Sequence, residues 1–254
     1  MSTREIPIVN LNIGIDESVK QRTTPILENE IEGIEVEHVA LVGGQSLVDR
    51  SRKGYRLVYL FVKGRGEAIA ESNHYEIVPE TILLPNAIEG IRITAATDDN
   101  LHYLKISCKL TAQDLKELDA LPKDNTQKVY YAKFSDCQSY VEPIKSPNTV
   151  SRTILSNEYI PRIAMGTVQT KGPDEVGAHE HPMLEQIFLG LSKNNCTVYA
   201  DEAQTNFPPY SVLHIPLGSR HSVSVDKDKT LYYVWMDFFL DKEGEEWLKT
   251  HIVE

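Results

Sequence analysis

Apolar and polar residues alternate along much of the chain with a period of two, the period of a strand with one buried face. The run Ile34-Glu-Val-Glu-His-Val-Ala-Leu-Val42 shows it first, followed by Leu57–Val62, Gly66–Ala70, Thr81–Leu84, Ile91–Thr94 and Leu101–Leu110. Each is short and bounded by Gly, Pro, Asn or Asp, which predicts an antiparallel sandwich or barrel. The period then changes. Thr111 is an N-cap with Asp114 three positions on, Leu115 and Leu118 share one helical face, and Pro122 ends the helix. Residues 1–30, broken by Pro7, Gly14 and Pro25, alternate only loosely. They read as an N-terminal arm with one strand, packed on the body or on a neighbouring subunit.

The pattern repeats. Leu101-x-Tyr103 matches Leu231-x-Tyr233, Leu110 matches Leu240, the cap Thr111 matches Asp241 and Leu118 matches Leu248, all at an offset of 130 (231 minus 101). Lys63–Glu71 keeps that offset against Lys193–Asp201, and Pro85 meets Pro216 after a slip of one residue. The expected architecture is mainly β: two jelly-roll β-barrels, each followed by a short helix, the second helix running from Asp241 to Ile252 with Trp247 and Leu248. The expected domains are an arm at 1–30, a first barrel at 31–122 and a second at 123–254, divided at the polar stretch from Pro122 to Asn125.

A chain of 254 residues can bury a sizeable core, and its net charge of −11 argues against a nucleic-acid backbone or an anionic membrane surface as partner. The longest apolar run, Leu231–Leu240, is too short to span a bilayer and carries Asp237. No apolar signal segment opens the sequence, and Cys108, Cys137 and Cys196 are odd in number and widely spaced. Free thiols in a reducing cytoplasm are expected. The expected partner is a small-molecule substrate, on a homodimer or higher homo-oligomer.

Candidate chemistry concentrates between Gly177 and Gly190. In Gly-Ala-His-Glu-His-Pro-Met-Leu-Glu-Gln, His179 and His181 point to one face of a strand and Glu185 follows four positions later. His221 lies downstream, after the turn at Pro216 and Gly218, at the start of the alternating run Ser222–Val225. Imidazoles and a carboxylate suit zinc, iron, nickel, copper or manganese alike.

The first stretch resembles the first cupin motif, a glycine followed by His-x-His, Glu and a second glycine; the segment around Pro216, Gly218 and His221 resembles its partner motif. The spacing from the leading glycine departs from the pattern, and Val225 stands where an asparagine is usual. The resemblance implies a bicupin in which His179, His181, Glu185 and His221 hold one divalent transition metal. Four protein ligands leave one or two positions open, as a catalytic site requires.

At the same offset the first copy places Asp49, Ser51 and Tyr55 where His179, His181 and Glu185 stand, and an offset of 131 places Gly90 at His221. The first barrel is therefore expected to be metal-free, serving as structure or as a metal-independent small-molecule pocket. Near the second site, residues of Glu185 parity, Ile187 and Leu189, are expected to face inward, with Gln186 an alternative oxygen ligand if the register slips. Tyr233, Trp235 and Asp237 share one face of the last strand. If it faces inward, Tyr233 and Asp237 are candidates for binding or proton transfer and Trp235 for substrate binding; if not, the strand is plain core. His214 is a further catalytic candidate, and Arg162 and Met165 are candidate cavity-lining residues.

The layout is similar to that of the bicupin isomerases acting on 5-keto-4-deoxyuronate and 5-deoxyglucuronate, which implies a metal stabilising an enediolate while a base moves a proton. An iron-dependent dioxygenase and a non-catalytic small-molecule sensor are the alternatives.

Overall fold

The computed structural model describes residues 5–16, 18–142, 145–181, 183–240 and 244. Strands β1 (Ile8–Asn10), β2 (Gln21–Ile26), β3 (Ile34–Leu41), β4 (Ser46–Arg50), β5 (Tyr55–Lys63), β6 (Gly66–Ala70), β7 (Asn73–Ile77), β8 (Thr81–Leu84), β9 (Gly90–Ala95) and β10 (Leu101–Lys109) lead to helix α1 (Ala112–Ala120). A short helix α2 (Lys123–Gln127), β11 (Tyr130–Lys133), β12 (Ser139–Tyr140) and β13 (Val150–Leu155) connect to the second set. That set is β14 (Ile163–Lys171), β15 (Asp174–His179), β16 (Leu184–Gly190), β17 (Cys196–Ala200), β18 (Ala203–Phe207), β19 (Ser211–Ile215), β20 (His221–Val225) and β21 (Thr230–Phe239).

The chain divides into two compact units. The first comprises residues 11–137 and 158–161, the second residues 1–10, 138–157 and 162–254. In the first, a sheet ordered β11-β8-β5-β10-β3-β2 packs against one ordered β4-β9-β6-β7. In the second, a sheet ordered β1-β19-β16-β21-β14-β13-β12 packs against one ordered β15-β20-β17-β18. Strands β3 to β10 and β14 to β21 thus correspond one to one, so the repeat seen along the chain is a repeat of sheet order.

These boundaries differ from those the pattern predicts. The N-terminal residues pack on the body with two strands rather than one: Ile8, Val9 and Asn10 pair with Leu213, Val212 and Ser211 of β19, while β2 pairs with β3. Residues beyond Pro122 also belong to the first unit, because Tyr130–Lys133 pairs with Leu84–Thr81 of β8. In each unit a strand from outside the eight-strand repeat thus covers the edge that β8 or β19 would otherwise present for uncontrolled pairing.

Alternation decides each core. In the first unit Val39, Leu41, Tyr59, Phe61, Ala68, Ile93, Leu101 and Tyr103 meet between the sheets; in the second Val168, Val176, Phe188, Val198, Phe207, Leu213, Val223 and Tyr233 do so. Each fully buried side chain of this size contributes roughly 1.5–3 kcal/mol. Helix α1 carries the predicted capping box: the Asp114 amide donates to Thr111 Oγ1 at 3.1 Å and the Thr111 amide to Asp114 Oδ2 at 2.7 Å. Leu118 is buried, whereas Leu115 remains exposed. Apart from Gly244, the expected helix from Asp241 to Ile252 lies outside the described residues. No helix among the described residues is long and apolar enough to cross a membrane.

Candidate metal centre

Strand β15 would present Val176, Ala178 and Glu180 to the core if it alternated without interruption. It does not. Val176 pairs with Val223 and His179 with His221, so three steps along β15 oppose two along β20. The extra residue at Gly177-Ala178 is a β-bulge, and it turns His179 onto the face that Val176 occupies. His181 follows two positions later.

The three imidazoles converge. Ring centroids lie 4.9 Å apart for His179 and His181, 4.4 Å for His179 and His221 and 5.3 Å for His181 and His221. One ligand nitrogen from each can be chosen so that all lie within 4.8 Å of one another. His181 and His221 are buried and His179 is partly so. His179 Nδ1 donates to the Gly177 carbonyl at 2.7 Å and His221 Nδ1 to the Ser219 carbonyl at 3.2 Å. Those bonds set the tautomer that leaves Nε2 with its lone pair, the arrangement that orients metal-ligating imidazoles. The donor set fits a divalent transition ion.

Glu185 is not with them. Its Oε2 accepts from His214 Nε2 at 2.9 Å. On β16 it is Phe188 that reaches the core between the sheets, its ring 6.0 Å from that of His221, so Gln186 shares the inward face and Glu185, Ile187 and Leu189 take the other. A one-residue difference in register exchanges the two faces, and the register places the amide, not the carboxylate, inside. For the same reason His214, between the inward Leu213 and Ile215, faces away from the triad.

The inward face of β21 is the one with Tyr233, Trp235 and Asp237. Gln186 Nε2 donates to Asp237 Oδ1 at 2.8 Å, and Gln186 Oε1 is buried with no hydrogen-bond partner among the described residues. Burial, reinforced by the charge of Glu142, raises the Asp237 carboxyl to about 7, although Gln186 and Lys145 pull it down. Tyr233 is buried and stacks on Phe188 at 4.8 Å; burial holds its phenol protonated. Trp235 lies half-buried against the same core and fills the space over Gly166.

Two candidate lining residues fall elsewhere. Met165 is fully buried but pairs with Met236 on the face opposite Val168, and Arg162 Nε donates to the Phe239 carbonyl at 3.2 Å, tying the end of β21. The segment before β13 supplies groups that the pattern did not single out. Lys145, almost fully buried, donates to Ser151 at 3.2 Å, pairs with Glu142 at 2.7 Å and forms a backbone bridge to Val176. Burial lowers its ammonium, and Tyr140 beside it is raised by burial and by Glu142. Tyr140-Val-Glu-Pro-Ile-Lys145 carries no metal-type spacing and no sustained alternation, so nothing in the pattern marks it.

The first unit differs at the corresponding positions. Asp49 pairs with Ile91 as His179 pairs with His221. The counterpart of His221 is therefore Ile91, which shares the inward face with Ile93 and Ala95, and not Gly90.

No family model matches the sequence, and no curated protein matches it. Solved structures do. A cupin 2 conserved barrel domain protein from Leptotrichia buccalis aligns with a TM-score of 0.62 and 15% identity, over 94% of this chain and 98% of its own. The fold is that of the cupins. Protein Ylba of E. coli aligns at 0.71 and 10% identity over 94% and 92% of the two chains, and an oxalate decarboxylase from Lactobacillus farciminis, in complex with formate, at 0.65 and 13% over 99% and 92%. At such identities the likeness is one of fold, and the chemistry of each unit rests on its own side chains.

Proposed function

We propose that the second cupin unit is a metal-dependent catalytic centre acting on a small oxygenated carbon compound of sugar or sugar-acid type, which it isomerises by moving a proton between adjacent carbons. The observation that carries this reading is the combination, within one core, of a convergent His179–His181–His221 triad and a buried carboxyl, Asp237, raised to about 7.

The three imidazoles would hold the ion, with the Gln186 amide oxygen on the same interior as a further donor. A divalent ion there supplies Lewis-acid polarisation of a carbonyl and a neighbouring hydroxyl oxygen. The rest is the work of the chain. Asp237, a carboxyl raised by burial, can take a proton from one carbon and return it to the next while the hydroxyl proton passes to the former carbonyl oxygen. Gln186 Nε2 holds Asp237 Oδ1 and leaves Oδ2 for the proton. Phe188, Trp235 and Tyr233 exclude water from that wall, and Glu142 compensates the buried charge of Lys145.

The test is turnover of keto and aldo sugars and sugar acids by metal-loaded protein and by Asp237→Asn. Loss of about a hundredfold or more in rate with metal content retained supports the role of Asp237. Full turnover in the variant contradicts it. Iron with substrate-dependent uptake of dioxygen would favour the dioxygenase reading instead.

A further inference from the structure

The first unit carries a polar cluster at the place where the second gathers its histidines. Asp49, in the position of His179, accepts from Lys105 Nζ at 2.9 Å and from the Tyr59 hydroxyl at 2.9 Å, both through Oδ2. Lys105 also pairs with Glu37 Oε2 at 3.4 Å. These groups come from both sheets, Asp49 on β4 and the others on β3, β5 and β10. All face the core side, as Leu47, Val39, Leu57 and Tyr103 on the same strands show. Solvent reaches the cluster: the side chains of Asp49, Lys105 and Glu37 are 15%, 20% and 31% exposed.

Beneath them lies Tyr103. It is fully buried, its ring 6.0 Å edge-on from that of Tyr59 and 5.3 Å from that of Phe61, and its hydroxyl has no hydrogen-bond partner among the described residues. Leaving such a group unsatisfied costs about 1–3 kcal/mol, so a buried orphan beside a solvent-reached polar cluster points to an occupant. Burial, with the nearby charges of Asp49 and Glu37, keeps the phenols of Tyr103 and Tyr59 protonated. Burial works against the charge of Lys105, but Asp49 and Glu37 outweigh it and raise its ammonium.

We propose that the mouth of the first cupin unit is a metal-independent binding site for a small neutral polyhydroxy compound, with Tyr103 and Lys105 as its contacts. The donor inventory selects that class. A metal cation is opposed by the ammonium already seated between the carboxylates, and an anion by two carboxylates against one ammonium. What remains is mixed: the Tyr103 hydroxyl can donate and accept, the Tyr59 oxygen and Glu37 can accept, and Lys105 retains a donor. Ligand hydroxyls, each donor and acceptor at once, match such a set.

The experiment is saturation-transfer-difference NMR on the full-length protein, with myo-inositol and xylitol as cyclic and linear probes. The expected result is saturable transfer to at least one probe, retained when His179, His181 and His221 are all replaced by Ala. Binding should weaken by about tenfold in Tyr103→Phe, which keeps the ring and removes only the hydroxyl. Lys105→Met should weaken it as well; should that variant fail to fold, Tyr103→Phe decides. No transfer to either probe, loss of transfer in the histidine variant, or undiminished affinity in Tyr103→Phe overturns the proposal and leaves the cluster as an internal cross-link between the sheets.

Discussion

At the scale of single residues, Asp237 is the group whose environment most constrains what the second unit can do. A carboxyl raised from 3.8 to about 7 is one whose ionised form the fold disfavours. Between those values the folded state holds a proton that the unfolded state has released, so stability falls as pH rises through the window and levels off above it. Asp237→Asn removes that dependence. Chemical denaturation of chelator-treated protein should therefore find the variant more stable than the wild type near pH 8, by about 1–3 kcal/mol, with the margin gone near pH 4. An equal margin at both values would show that Asp237 is not raised. In the first unit, His38 Nε2 and His102 Nδ1 meet at 3.3 Å and both rings are buried. Burial lowers each to about 4, helped by Arg22 and, for His102, by His38 and Lys63. Their neutral forms support the fold, so stability is lost as pH falls from 6.5 towards 4. His102→Phe should flatten that acid limb in a pH series of thermal melts.

Secondary-structure elements explain why part of the site was legible along the chain and part was not. Six strands of the first unit and the capped helix follow from alternation and capping residues. Strands β4 and β7 escaped because each is only five residues long: Ser46-Leu-Val-Asp-Arg50 offers one apolar side chain, Leu47, to the core, and Asn73-His-Tyr-Glu-Ile77 offers two, Tyr75 and Ile77. His179, His181 and His221 were legible because residue type and spacing suffice to name them. Glu185 was not, because its face depends on the register of β16 against β21, where Gln186 meets Asp237, and a period-two pattern cannot choose between its two faces when both are apolar. The β15 bulge carries a prediction of its own. Deleting Ala178 removes the extra residue and leaves His179 two positions after Val176, on the same face and opposite His221, so the bound transition metal measured by elemental analysis should stay near the wild-type value. Loss of the metal in that variant would mean that the bulged backbone itself is needed to aim the ligand.

At the scale of the whole molecule, one eight-strand plan is used twice with different interiors. The offset of 130 predicted the repeat, and it aligns Tyr103 with Tyr233 in equivalent core positions. It could not show where the units divide, because β1 and β11 lie outside the repeat and join their sheets through edge pairing, which leaves no periodic trace. At the metal position the units diverge: Asp49 stands for His179, Ile91 for His221 and Lys105 for Trp235. The second unit, and not the first, is proposed to hold a transition metal through three imidazoles. X-ray absorption spectroscopy at the metal edge, on wild-type protein and on His221→Ala, tests it most directly. Wild-type protein should carry about one metal per chain, with three nitrogen ligands at about 2.0–2.1 Å if the metal is zinc, and the variant should lose it. Metal retained with unchanged coordination in His221→Ala would contradict it.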